Sequence, residues 1–245
     1  MNISILGLGW LGHPLALTLL KKGHQVRGTT RSEEKKRFFE SQSIPSDLLV
    51  YPELPPGSLF EADAVILNIP PFEGQIEWFK RFQIPRDVQI IFVSSTSVYG
   101  NHSELKTEVS EIQMDTQLAF EEKWIQENFK SWCILRCSGL IGGERHPGKS
   151  LSGKKNIKGR KHPVNLIHLD DVIGFILTLI DQNVSGQIFN VSSDEHRNKE
   201  FFYSDFAQRM GLPLPEFDNA DDSDGKTISN EKMKQIYSLK FPTMT

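Results

Sequence analysis

The chain has 245 residues, a formal net charge of −3 and a pI near 6.2. That length suits one domain, or one domain with a modest second lobe, and the near-neutral charge excludes a large nucleic-acid footprint. Two cysteines, Cys133 and Cys137, exclude a disulfide scaffold, a four-cysteine zinc site and a C-x-x-C redox pair. They read as buried, reduced thiols in a cytoplasmic protein.

The first twenty residues carry no formal charge. No basic residue precedes this apolar stretch, and Gly7, Gly9, Gly12 and Pro14 interrupt it. A turn between two elements is therefore expected, not a signal peptide or an anchor. No other stretch is long enough to span a bilayer. Ile3, Ile5 and Leu6 mark a compact strand. Residues 11–22 predict a helix, with a broad apolar face from Leu11, Leu15 and Leu19 and a stop at Gly23. Residues 25–29 predict a second strand. Ser32 can cap the next helix, with Glu33 and Glu34 in its first turn. Residues 48–51 predict a third strand. Residues 64–69 and 89–93 are nearly all apolar, as strands buried on both faces should be. Residues 116–129 predict a helix, 132–136 a strand, 170–181 a strongly apolar helix and 187–191 a last strand. Such alternation predicts an α/β fold with a doubly wound parallel sheet. Between residues 216 and 224 five of nine residues are acidic, which predicts a solvated loop.

Gly7-Leu8-Gly9-Trp10-Leu11-Gly12 fits G-x-G-x-x-G. It follows the first predicted strand and opens the first predicted helix, the context in which the pattern means dinucleotide binding. Gly7 permits the tight turn, Gly9 lets the backbone approach a pyrophosphate, and Gly12 lets the helix pack close to the sheet. The helix N-terminus then offers N–H groups to the phosphates. An NAD site usually has a carboxylate at the end of the second strand. Here Thr30, Arg31 and Ser32 follow Thr29, so nothing there repels a 2′-phosphate, and Arg31 can pair with it. NADP is therefore expected to be favoured over NAD.

Further segments carry a family resemblance. Ser94-Ser95-Thr96-Ser97-Val98-Tyr99-Gly100, after a buried strand, resembles the serine–VYG segment of the extended short-chain dehydrogenase/reductases, which include sugar-nucleotide epimerases and dehydratases. Leu135-Arg136 with Gly139-Leu140 resembles their late-strand segment beside the nicotinamide. Ile167 to Val172 resembles their H-x-D-D motif, and Gly186 to Val191 their last core strand. Within that group, residues 7–14, 94–100, 145–148 and 165–174 resemble a poorly characterised set of bacterial YeeZ-like proteins. The resemblance implies a Rossmann-like sheet of seven strands with a small discontinuous substrate lobe from about residues 140–165 and 192–245. It adds Trp10, Leu11, Ile69, Pro70, Ser94 and Leu140 to the cofactor contacts, and it allows a homodimer through sheet-flanking helices.

Three departures matter. The loop has the G-x-G-x-x-G spacing where the extended members usually carry G-x-x-G-x-x-G. The chain is also short for the group. Finally, the family's hydride chemistry depends on Y-x-x-x-K, and none of the four tyrosines has a lysine four residues on. If Glu121 matches the family's helix glutamate, Gln113 and Gln117 take the places of the pair, and neither exchanges a proton near neutral pH. Ser95 matches the polarising hydroxyl, and Tyr99 is the nearest tyrosine; these two are the candidate catalytic residues. His146 and His168 titrate in a useful range, with a structural helix-end role the simpler reading of His168. The six basic residues between positions 149 and 161 form either a solvated loop or a mobile clamp on an anionic ligand.

Two functions remain open at this level. One is an NADP-preferring oxidoreductase, epimerase or dehydratase with rearranged catalytic residues, acting on a small, phosphorylated or nucleotide-linked molecule. The other is a dinucleotide-binding sensor or regulatory module without turnover.

Overall fold

The computed structural model describes residues 1–143 and 145–242. In chain order its elements are β1 (Asn2–Leu6), α1 (Gly12–Lys21), β2 (Gln25–Thr30), α2 (Glu33–Ser41), β3 (Ser46–Leu48), β4 (Ala64–Leu67), α3 (Gln75–Phe79) and β5 (Gln89–Ser95). They continue as β6 (Leu105–Lys106), α4 (Gln117–Asn128), β7 (Ser131–Cys137), β8 (Gly139–Ile141), β9 (Leu166–His168) and α5 (Leu169–Asp181). Last come β10 (Gln187–Val191), α6 (Lys199–Arg209), β11 (Thr227–Ile228) and α7 (Glu231–Lys234).

Seven strands form one parallel sheet in the order β10-β7-β5-β4-β1-β2-β3. Ile3 on β1 lies opposite Val26 on β2 and Ala64 on β4. The chain thus winds outward from β1 through β2 and β3, then returns to β4 on the other side. This is the expected Rossmann-like, doubly wound arrangement. It puts the topological switch point between β1 and β4, where ligands meet the C-terminal ends of the strands. Ile3, Ile5, Leu6, Val65 and Ile66 are all buried to within 1%, and α1 covers them with Leu15, Ala16 and Leu19.

The third strand differs from expectation. It comprises residues 46–48, not 48–51, and pairs Ser46 with Gly28 and Leu48 with Thr30. Val50 and Tyr51 are exposed. The apolar letters at 48–51 suggested the strand's place, but this is the sheet edge, where pairing with β2 sets the register and burial does not.

The chain divides into two compact units. The first comprises Met1–Val98, Gln113–Arg136 and Ile173–Phe189 and holds the large sheet. The second comprises Tyr99–Ile112, Cys137–Val172 and Asn190–Thr245, so Tyr99–Ile112 joins it from outside the expected lobe. Two small sheets organise the second unit, β11 with β6 and β8 with β9. Within it the basic run and the acidic run neutralise each other. Lys155 pairs with Glu216 at 3.1 Å, and Arg160 and Lys161 both reach Asp222. The Gly159 N–H donates to Asp221, and Ile157 bridges to Phe217. Both runs stay largely exposed, as their composition suggests, but they are tied to each other and not free. Asp171, buried completely, accepts from the Tyr237 hydroxyl and from the Lys240 and Phe241 N–H groups. It pins the C-terminal segment.

Candidate dinucleotide site

The glycine loop is built from backbone. Gly7 has φ +103°, and a Cβ there would collide with the Asn68 carbonyl oxygen. A Cβ on Gly12 would collide with the Gly7 carbonyl oxygen, so the helix starts directly against the turn. Gly9 is the contrast: it is exposed, and a Cβ there meets nothing within 4 Å. Thr29 and Asn68 hold the loop in place. The Gly7 N–H donates to Thr29 Oγ1 at 3.0 Å, the Leu8 N–H to the Thr29 carbonyl at 2.8 Å, and Asn68 Nδ2 to the Gly7 carbonyl at 3.1 Å. Neither residue is among the predicted contacts. Thr29 ends the second strand, which was legible; Asn68 carries no sequence signal of its own.

Helix α1 has no side-chain cap at Leu11 and no acid in its first turn. Its N-terminal N–H groups and positive dipole end are therefore suited to an external anion. The residues present fit a dinucleotide pyrophosphate: an open glycine, an uncapped helix start and no acid in the helix's first turn.

Most of the predicted contacts fall in the first unit. Trp10 is half-buried and Leu11 buried. Thr30 is buried at the end of β2, its Oγ1 accepting the Ser32 N–H. Arg31 is exposed and makes no ion pair among the described residues. Ser32 caps α2, accepting the Lys35 N–H as its sequence position implies. Ile69 lies 3.6 Å from where a Gly7 Cβ would be, with exposed Pro70 next to it. Ser95 ends β5 half-buried, and its Oγ accepts the Ser97 N–H.

Ser94, Leu140 and Tyr99 have the following surroundings. The Ser94 hydroxyl donates to Glu122 Oε1 at 2.6 Å. Leu140 lies on β8 in the second unit, opposite Ile167. Tyr99 also falls in the second unit. It is buried to 1%, and its hydroxyl donates to Asn190 Oδ1 at 2.7 Å. Lys226 Nζ donates to the Tyr99 backbone carbonyl at 2.9 Å.

Helix α4 carries two adjacent buried acids with different fates. Glu122 is held by Arg136 through Nε and Nη2, at 2.7–3.2 Å. Among the described residues its neighbour Glu121 accepts from Gln117 Nε2 on Oε1, and its Oε2 has no hydrogen-bond partner. Burial, with the Glu122 charge beside it, pushes the Glu121 carboxyl up to about 7, against the opposing Gln117 bond. Both cysteines are buried, and burial pushes the Cys137 thiol up to about 12, which makes it inert.

A cavity of about 430 Å³ opens beside Asn2, Ser4 and Arg27. These residues lie toward the N-terminal ends of their strands, away from the glycine loop, so it is not the dinucleotide site. Among the described residues no helix is long and apolar enough to cross a membrane, and no His, Cys, Asp and Glu cluster fits a metal ion.

Comparison with known proteins agrees with this geometry. Residues 2–115 match the family model for the NAD binding domain of 6-phosphogluconate dehydrogenase. Protein YeeZ of Escherichia coli K12 is 35% identical, over 94% of this chain and 93% of YeeZ. A functionally unknown conserved protein from Silicibacter pomeroyi superposes with a TM-score of 0.79 at 20% identity, covering 99% of this chain and 94% of the other. A UDP-glucuronic acid 4-epimerase from Bacillus cereus, solved with UDP-glucuronic acid and NAD, superposes with a TM-score of 0.75 at 18% identity, covering 100% and 95%. The chain therefore belongs to the YeeZ family and carries a Rossmann-type NAD-binding domain.

Proposed function

We propose that the protein is an NADP-preferring, epimerase-like member of the extended short-chain dehydrogenase/reductase type, with a pocket for a small anionic molecule. One observation carries the cofactor reading: the open Gly9 beside an uncapped helix N-terminus. Exposed Arg31, after a strand end that lacks a carboxylate, supports the preference for a 2′-phosphate. A bound nicotinamide would supply hydride transfer. The chain's own part is to cradle the phosphates on the backbone of residues 7–12, to offer Arg31 to the 2′-phosphate, and to present Ser95 Oγ at the end of β5. The buried thiols suit a reducing, cytoplasmic compartment.

A second reading is a dinucleotide-binding sensor without turnover. The absent Tyr–Lys pair and the engagement of the Tyr99 hydroxyl with Asn190 favour it. Calorimetry with NADP, NAD and their reduced forms tests the cofactor reading. NADP is expected to bind more tightly. Arg31→Ala should narrow the gap by roughly 1.5–3 kcal/mol, the worth of a charge-assisted hydrogen bond. Equal affinities in the unmutated protein would remove the preference, and no binding of any form would remove the reading. Oxidation of the reduced cofactor in a substrate screen would separate enzyme from sensor.

A further inference from the structure

The cavity of about 430 Å³ in the first unit lies toward the N-terminal ends of β1 and β2. Register and alternation put four polar side chains on one face of these strands. Asn2 lies opposite Gln25 and Ser4 opposite Arg27, while Ile3 and Val26 between them point to the other face. The connection from β3 to β4 crosses this polar face, and its Ser58 and Glu61 also line the cavity. Its regular structure is one short 3₁₀ helix, Gly57–Phe60. A loop, not an α-helix, therefore lies over the polar strand surface, which leaves room above it.

Two buried polar atoms of these lining residues have no partner among the described residues. Ser4 is buried to 1%, and its Oγ makes no hydrogen bond. Arg27 is bound at its far end only. Its Nη1 donates to the Ser58 carbonyl and hydroxyl at 3.1 Å, and its Nη2 to Asp47 Oδ2 at 2.7 Å. Its Nε is buried and unpartnered. Leaving a buried donor unmet is costly, and buried polar groups are otherwise almost always paired. Ser4 and Arg27 stand side by side on adjacent strands, so a ligand that reaches one reaches the other.

We propose that this cavity is a second binding site, for a small neutral polyhydroxylated molecule. The unpartnered Nε–H requires an acceptor, which a cation does not offer. The Arg27 charge is already met by Asp47, and Glu61 adds a carboxylate, so an anion gains nothing there. An apolar molecule would leave both orphaned atoms unpaired. A hydroxyl group both donates and accepts. Vicinal hydroxyls therefore match Ser4 Oγ and Arg27 Nε together with the amides of Asn2 and Gln25 and the carboxylate of Glu61. The volume falls in the range of small-molecule sites, about 300–1,000 Å³. The site is independent of the dinucleotide reading, since it lies at the opposite ends of the same strands.

Nuclear magnetic resonance of the isotope-labelled whole chain, titrated with myo-inositol, cyclohexanol or inositol monophosphate, tests the site. The Arg27 Nε–H resonance, identified by its loss in Arg27→Lys, and the Ser4 and Gln25 amide resonances should shift saturably with myo-inositol. Cyclohexanol, with one hydroxyl, and inositol monophosphate, with its charge, should each bind at least about tenfold more weakly. Ser4→Ala removes an unpartnered hydroxyl alone, so thermal stability should be kept while myo-inositol affinity falls by about three- to tenfold. Gly9→Asp should leave the inositol shifts unchanged while removing dinucleotide binding, which reads the failure of one site apart from the failure of the other. The proposal is overturned if myo-inositol gives no saturable shift, or if either comparison compound binds as tightly. It is also overturned if Ser4→Ala keeps full affinity for myo-inositol, or if Gly9→Asp abolishes the shifts.

Discussion

The glycine loop of the first unit and a cavity of the second are built in opposite ways. The dinucleotide loop of the first unit is six consecutive residues whose function lies in missing side chains: Gly7 and Gly12 have no room for a Cβ, and Gly9 is open. A cavity of about 380 Å³ in the second unit is lined instead by residues drawn from positions 141 to 241. A phosphate cradle made of N–H groups needs only the right turn, so one short motif specifies it. A side-chain site needs distant segments brought together, and no contiguous motif marks it.

Gly9→Asp should break the first half of this contrast most severely. A carboxylate placed about 4 Å from a pyrophosphate near a protein surface is opposed by ~4 kcal/mol. That is roughly a thousand-fold in affinity. Since no neighbour is touched at that position, stability should hardly change. Calorimetry and thermal unfolding on the same variant separate the two effects, and retained affinity would mean the loop is not the site.

Asp171→Asn tests the second half. Asp171 Oδ1 accepts from the Tyr237 hydroxyl and the Lys240 N–H, and Oδ2 accepts from the Phe241 N–H. An amide group would face at least one of these donors with another donor. The loss should be roughly 3 kcal/mol, about two charge-assisted hydrogen bonds. It should appear first as release of the C-terminal segment, read as trypsin cleavage after Lys240. Unchanged cleavage would show that other contacts hold the segment.

What the sequence made legible follows the same division. Most strands and helices of the first unit were readable because they announce themselves locally, by apolar runs, by Ser32 as a cap and by Gly23 as a stop; the short α3 (Gln75–Phe79) carried no such signal. The edge strand β3 was misplaced because its register comes from β2. In the second unit the acidic and basic runs looked solvated when read separately, yet Asp221 and Asp222 meet Gly159, Arg160 and Lys161 across sixty residues of chain. Charge complementarity between two runs was visible in principle; their antiparallel or parallel alignment was not. Asp171 shows a third limit. Its side chain accepts backbone N–H groups about seventy residues away, and nothing in a motif records such partners.

Glu121→Gln sharpens the comparison from within the first unit, because this carboxyl also has a state set by burial and not by motif. Its folded pKa of about 7 stands above the ordinary 4.5. The folded protein therefore holds this proton more tightly than the unfolded chain. Stability should fall as pH rises from about 4.5 to about 7 and level off above. The difference corresponds to at most about 3 kcal/mol. Glutamine does not titrate, so the variant should lose this slope and gain up to about that amount on the alkaline side. Urea unfolding of both proteins across this range is the measurement; parallel curves would show that Glu121 ionises normally.

The smallest effect is expected for Tyr99→Phe, and it bears on whether the second unit supplies an acid. The Tyr99 hydroxyl donates to Asn190 Oδ1, and an amide oxygen near neutral pH accepts a hydrogen bond without taking the proton. Asn190 is itself fixed, donating through Nδ2 to the Lys106 carbonyl and through its backbone N–H to Glu108. Lys226 approaches the Tyr99 backbone carbonyl, whereas a lysine that activates a phenol must act on the hydroxyl. The arrangement therefore reads as a buried polar junction. Phenylalanine keeps the ring and leaves Asn190 Oδ1 without this donor, at a cost of about 1–2 kcal/mol. With any substrate that the protein turns over, kcat should stay within a few-fold of the unmutated value across pH. A proton-transfer role would instead lower the rate by about 10²–10⁴-fold. A loss of that size, with cofactor affinity and fold intact, would make Tyr99 the acid that replaces the missing pair and would decide for an enzyme over a sensor.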